Sequence, residues 1–157
     1  MVTCGGWHAG GVGQGAGAGD PDPAQLPRWV LHDHRVPRPH RDLRLELGGV
    51  LVSWAVPRGL PGPHDGNRLA VPVPDHDLGH LAYTDATKSV EDTGRFVLHE
   101  RTDAKLVVSL GGLGGVATYA LIATRRGDWL LHRLDDSDAR HAVAVRLLRA
   151  HDHPETA

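Results

Sequence analysis

A chain of 157 residues has room for one domain with a substantial core and little more. Its 17 basic and 19 acidic residues nearly cancel, which excludes a global electrostatic footprint for nucleic acid and leaves any polyanion to a local patch. The single cysteine, Cys4, excludes a disulfide framework and a cysteine-built zinc site, and fits a reducing cytoplasm.

Residues 1–20 contain eight glycines and few side chains to bury, so the entropy of ordering them would go uncompensated. Residues 1–24 are expected to form a flexible tail and residues 25–152 the folded domain. The start, "MVTCGGWHAGG", lacks a basic region followed by an apolar one, and no apolar run approaches the roughly 20 residues of a membrane span. These features predict a soluble, unexported, cytoplasmic protein.

From Trp29 onward, short apolar runs alternate with Gly and Pro: 29–32, 43–47, 50–56, 69–73, 95–100, 105–110, 117–123 and 129–134. Several have the period of two expected of half-buried strands, as in "LRLEL" and "KLVVSL". The pattern predicts a mainly β fold, a compact antiparallel barrel or a sandwich. Gly48 and Gly49 lie where a two-residue hairpin needs positive φ. Pro72 removes a ladder donor, so its strand should be an edge or end early. Near the C-terminus, Ser137 is the expected N-cap of one amphipathic helix packed on the barrel, with Ala142, Val145, Leu147 and Leu148 at near-helical spacing.

The chemistry gathers in "LHDHRVPRPHRDLRLELGG", residues 31–49. On a strand, His40, Asp42, Arg44 and Glu46 share one face and Leu43, Leu45 and Leu47 the other. Same-face neighbours start about 6.6 Å apart, close enough for an imidazole and a carboxylate to converge on one ion. His40 and Asp42 thus form a candidate ligand pair, His34 a third ligand, and Arg44 an anion contact. Along a straight polyproline path His34 and His40 would lie about 18 Å apart, so the loop between them must turn sharply. Two imidazoles and a carboxylate suit manganese, iron or zinc. The same alternation also describes a solvated strand face with weak ion pairs.

Two further segments add candidates. In "NRLAVPVPDHDLGH", Arg68 can fork onto a phosphate oxygen and His76 can donate to a phosphate or a leaving oxygen, with His80 four residues later. In "GGVLVSWAVPRG", Trp54 is expected in the core and Arg58 at a strand exit.

Taken together, "WVLHDH", "HRDLRLELGGVLVSWAVPRG" and "RLAVPVPDHDL" resemble the 3′-phosphoesterase domain of bacterial DNA ligase D, which also occurs as a stand-alone protein. The resemblance runs over about residues 28–134, with "TGRFVLHE" and "YALIATRRGDWLLHRL" as weaker matches. It implies a β-barrel that removes 3′-ribonucleotides and 3′-phosphates from DNA ends during end joining, with a divalent metal, typically manganese. It further implies His34, His40 and Asp42 as metal ligands and Arg44, Arg68 and His76 as the groups that hold the phosphate; beside these, His80 and Arg58 are candidates for further phosphate contacts or supporting positions. The implied partners are DNA or RNA–DNA 3′ ends and a DNA ligase or another end-joining protein. This chain departs from the family pattern at Pro39 and Arg41, where Leu and Tyr are common, and at His80, where a tyrosine is usual. The family's N-terminal arm has no clear match here.

Two other functions fit the same residues. One is an end-binding or partner-binding module with weak catalysis. The other is a non-haem iron oxygenase built on His40, Asp42 and His76.

Overall fold

The computed structural model describes residues 21–152. The glycine-rich stretch 1–20 lies outside the described residues, and the remainder of the expected tail includes a short 3-10 turn, Pro23–Gln25. Eight strands follow: β1 Arg28–His34, β2 His40–Leu47, β3 Val50–Val56, β4 Arg68–His76, β5 Lys88–Thr102, β6 Lys105–Gly112, β7 Gly115–Ala123 and β8 Trp129–Arg133. One helix, α1, spans Ala139–Asp152. The strands close in the order β1-β2-β3-β4-β8-β7-β6-β5, every pair antiparallel. The expected mainly β barrel with a C-terminal helix is therefore present. No helix among the described residues is long and apolar enough to cross a membrane.

The period of two in the sequence decides which face of each strand turns inward. Trp29 and Leu31 of β1, Leu43, Leu45 and Leu47 of β2, and Trp54 and Val56 of β3 join Phe96, Val108, Leu121 and Leu131 in one apolar core. Gly48 and Gly49 turn the chain between β2 and β3 with φ of 63° and 85°, the positive values a tight two-residue hairpin requires. β4 pairs with β3 as far as His76 but with β8 only over Arg68–Ala70. Pro72, opposite Trp54, consequently lies where β4 is paired with β3 alone, as a residue without an N–H favours.

Among the described glycines, Gly94 leaves the least room for a side chain. A Cβ at that position would lie 1.9 Å from the carbonyl oxygen of Gly111, which also accepts a hydrogen bond from Trp29 Nε1. The Gly111 carbonyl is strand backbone and cannot rotate away. Gly94→Ala is expected to lose about 3 kcal/mol of unfolding free energy. Urea denaturation checks this, and a midpoint equal to that of the wild type would reject it.

Helix α1 packs on β5, β6 and β7. Its cap differs from the expectation. Asp138, rather than Ser137, caps the helix, accepting from the Arg140 amide at 2.9 Å, while the Ser137 amide donates to Asp135. The inward face also begins one residue earlier than expected. Ala142 is exposed, whereas His141, Ala144, Leu147 and Leu148 are buried, at spacings of three and four. The last three join Leu26 and Val97 in a second apolar cluster. His141 docks through polar contacts: His99, Ser109, Thr118 and His141 form a chain of bonds of 2.8, 2.6 and 2.9 Å across β5, β6, β7 and α1.

Candidate metal and anion site

The side chains that alternate with the core residues of β1 and β2 build the site on the opposite face of the sheet. There Val30, Leu51 and Leu81 form a small apolar cluster. Leu81 comes from a 3-10 turn, Leu78–Ala82, that follows β4 and packs over β1 and β3. The charged face of β2 is accordingly no solvated surface: Arg44 is 1% exposed and Asp42 4%.

β1 and β2 pair with His34 opposite His40, so Arg35–Pro39 does make the sharp reversal that the spacing required; the Val36–Pro37 peptide is cis. Asp42 receives both imidazoles, with Oδ2 3.0 Å from His34 Nδ1 and Oδ1 3.2 Å from His40 Nε2. One donor atom from each of the three residues lies within 4.8 Å of the others, so His34, His40 and Asp42 are brought together as a group able to hold a metal ion.

The donor set fits a divalent metal. His40 Nδ1 lies 2.8 Å from the Arg38 carbonyl, an acceptor, so this nitrogen carries a proton. Nε2 then faces a carboxylate oxygen at 3.2 Å, an arrangement satisfied by a cation between them, whether a second proton or a metal ion. Two nitrogens and a carboxylate suit manganese, iron and zinc alike.

Arg44 joins this group to a second one. Its Nη2 donates to Asp42 Oδ2 at 3.2 Å, its Nε to His32 Nδ1 at 3.2 Å, and its Nη1 lies 3.0 Å from His76 Nδ1. Since a guanidinium only donates, His32 Nδ1 accepts, and Nε2–H donates to the Tyr83 carbonyl at 3.0 Å. The Pro74 carbonyl competes for His76 Nδ1 at the same 3.0 Å, and the two bonds exclude each other. Beyond His76 stands His80, with ring centroids 4.5 Å apart. His80 stacks on Tyr83 at 4.5 Å and 9°, and its Nε2 accepts from Lys88 Nζ at 3.1 Å.

Burial first, then the charges of Arg44 and Lys88, hold the His32 imidazole down to about 4. Burial, then Lys88 and Arg44, does the same for His80, also to about 4, and the His76 imidazole is lowered by burial and Arg44. The unfolded chain, with histidines near 6.5, takes up protons first as pH falls. The stability these groups contribute is therefore fully present above pH 6.5 and is lost as pH falls from 6.5 toward 4. Thermal unfolding in EDTA should show a falling midpoint across that window, less steeply in His32→Gln. An unchanged slope in that variant would contradict the assignment.

Not every residue singled out from the sequence arrives here. Arg68 lies on the same face of β4 as core residue Ala70 and donates to Asp65 Oδ2 at 2.9 Å and to the Arg58 carbonyl, whereas the bonds of Arg44 go to His32, Asp42 and His76. Arg58 contributes that carbonyl and is itself exposed. The triad His40, Asp42 and His76 is not assembled either. His34 is the second imidazole at Asp42, and His76 lies across Arg44. Three residues were missed: His32, Tyr83 and Lys88. His32 was within reach of the sequence, since it shares the strand face of His34.

A closed antiparallel barrel, bearing two imidazoles and a carboxylate joined by a buried arginine to further imidazoles, defines a β-barrel protein with a group able to hold a metal ion beside a buried cation. A sequence model of the family described as DNA Ligase D 3′-phosphoesterase domain matches residues 32–110, half of the chain. The chain belongs to this family. It is 34% identical over 143 residues to the multifunctional non-homologous end joining protein LigD of Mycolicibacterium smegmatis, covering 74% of this chain and 19% of the relative. It is 38% identical over 119 residues to the multifunctional non-homologous end joining DNA repair protein LigD of Mycobacterium tuberculosis strain H37Rv, covering 68% and 16%. The LigD protein of Pseudomonas aeruginosa is 46% identical over 62 residues, 40% of this chain and 7% of that protein. The chain thus spans less than a fifth of the length of these curated relatives.

Proposed function

We propose that this protein is a divalent-metal-dependent phosphoesterase that trims 3′-ribonucleotides or 3′-phosphates from DNA ends in end-joining repair. The observation that supports the reading is the sharing of Asp42 among His34, His40 and Arg44, which puts a group able to hold a metal ion beside a buried guanidinium. His34, His40 and Asp42 would hold the ion, manganese being our choice among the metals this donor set accepts. A bound divalent ion supplies neutralisation of phosphate charge and a lowered pKa for water. Arg44, fixed by Asp42 and His32, presents a preorganised cation to the phosphate. His76, when its Nδ1 accepts from Arg44, carries its proton on Nε2 and can donate it to the leaving oxygen. The partners that follow are DNA or RNA–DNA 3′ ends, delivered in the cytoplasm by a DNA ligase or another end-joining protein.

The test is a purified sample with Mn2+ and a DNA primer ending in a 3′-ribonucleotide or a 3′-phosphate, followed by gel or mass spectrometry. Trimming is expected. Products equal to those of a His40→Ala, Asp42→Ala control would overturn the reading, and end-binding without turnover would mark a binding module instead.

A further inference from the structure

Lysine is seldom buried, because its ammonium loses hydration that only an anion replaces well. Lys88 is one of two lysines in the chain, yet it is 8% exposed. It opens β5 opposite His34 of β1, which carries its side chain toward the site described above. Its ammonium lies 3.1 Å from His80 Nε2 and 5.6 Å from the centre of the Tyr83 ring. Among the described residues no carboxylate lies within 4.0 Å of it.

The other cation, Arg44, has a counter-charge in Asp42, the same carboxylate that would serve a metal. Between the two cations stand imidazoles, which bring no negative charge: His80 touches Lys88 and packs on His76 and His32 at 4.5 and 5.3 Å, and these two contact Arg44. Only one carboxylate, Asp42, thus pairs directly with either cation, Asp85 acting on Lys88 from beyond 4.0 Å, and a divalent ion would widen the imbalance. A terminal phosphate monoester brings a charge of about −2, a phosphodiester half of that, and a hydroxyl none.

We propose that Lys88 joins Arg44 in binding the dianionic phosphate monoester of a 3′ end, and so sets a preference for a phosphorylated terminus over a phosphodiester or a bare hydroxyl. The proposal rests on the functional reading above and names the substrate form it favours. His80 is the positioning residue, holding the ammonium by accepting one of its protons.

The experiment measures fluorescence anisotropy of a labelled strand ending in 3′-phosphate or in 3′-hydroxyl, with the full chain in EDTA so that no turnover intervenes. The wild type is expected to favour the phosphorylated strand about tenfold, the usual scale of one charged hydrogen bond. Lys88→Gln should bring the two strands within twofold, and Lys88→Arg should restore most of the difference. Inorganic phosphate should raise the thermal midpoint of the wild type but not of Lys88→Gln. Without phosphate, Lys88→Gln should be at least as stable as the wild type, whereas a merely structural lysine would lower the midpoint. A tenfold preference retained in Lys88→Gln, or none in the wild type, overturns the proposal. Both outcomes leave the trimming assay untouched, and failure of that assay alongside intact discrimination would remove the catalytic reading and keep the phosphate seat.

Discussion

Asp42→Asn is expected to abolish Mn2+ binding and to lower 3′-end trimming by about 10³-fold, the scale seen when a charge-stabilising group is removed from a preorganised site. The effect is large because one carboxylate serves three partners. His34 and His40 reach its two oxygens at 3.0 and 3.2 Å, and Arg44 takes the first of these at 3.2 Å. An amide keeps the shape of the side chain but removes the charge, so the ion loses its anionic ligand while both imidazoles remain. The same substitution leaves the guanidinium of Arg44, 1% exposed, without its counter-charge. Breaking a buried pair from one side costs about 3 kcal/mol or more. Asp42→Asn should therefore also be less stable than the wild type in EDTA, where no metal contributes to either protein. Isothermal titration with Mn2+ and urea denaturation separate the two effects. Mn2+ affinity within threefold of the wild type would dismiss Asp42 as a ligand, whatever the stability shows.

Much of this arrangement was legible in the sequence because it follows from alternation along single strands. Asp42 and Arg44 had to share a face opposite Leu43 and Leu45, and Gly48–Gly49 had to turn the chain back. His34 was legible too, since a hairpin that pairs it with His40 brings both imidazoles to Asp42. What escaped depends on how distant segments meet. Lys88 sits in "DATKSVED", which carries no motif, and only the pairing of β5 with β1 places it beside the site. Tyr83 enters through the turn that folds back over β1. Arg68 stands apart for the opposite reason. Its strand is legible, but the irregular pairing between Leu51 and Ser53 puts His76 on the site face while Arg68 keeps the face of Ala70. The inward face of helix α1 begins at His141 rather than Ala142 because this residue is polar and is held by hydrogen bonds, which apolar spacing does not reveal.

Arg44→Lys should separate the anion site from the metal site. A lysine keeps the positive charge beside Asp42, so Mn2+ affinity is expected to stay within a few-fold of the wild type. It cannot keep the geometry. The guanidinium points its three nitrogens at His32, Asp42 and His76 from one rigid plane, whereas an ammonium is a single point of charge on a flexible stem. His32 Nδ1 and His76 Nδ1 would lose their donor together, and His76 would turn its proton toward the Pro74 carbonyl, 3.0 Å away. Its Nε2 would then hold no proton for a leaving oxygen. Two contributions fall at once, the forked contact to phosphate and the proton donor, so kcat/KM for a 3′-phosphorylated primer should drop by about 10²-fold or more. A metal titration beside the kinetics makes the result decisive. A drop in kcat/KM with unchanged Mn2+ affinity assigns Arg44 to the substrate. Activity within threefold of the wild type would mean that charge alone suffices at this position, and the network that Arg44 organises would then be scaffolding rather than chemistry.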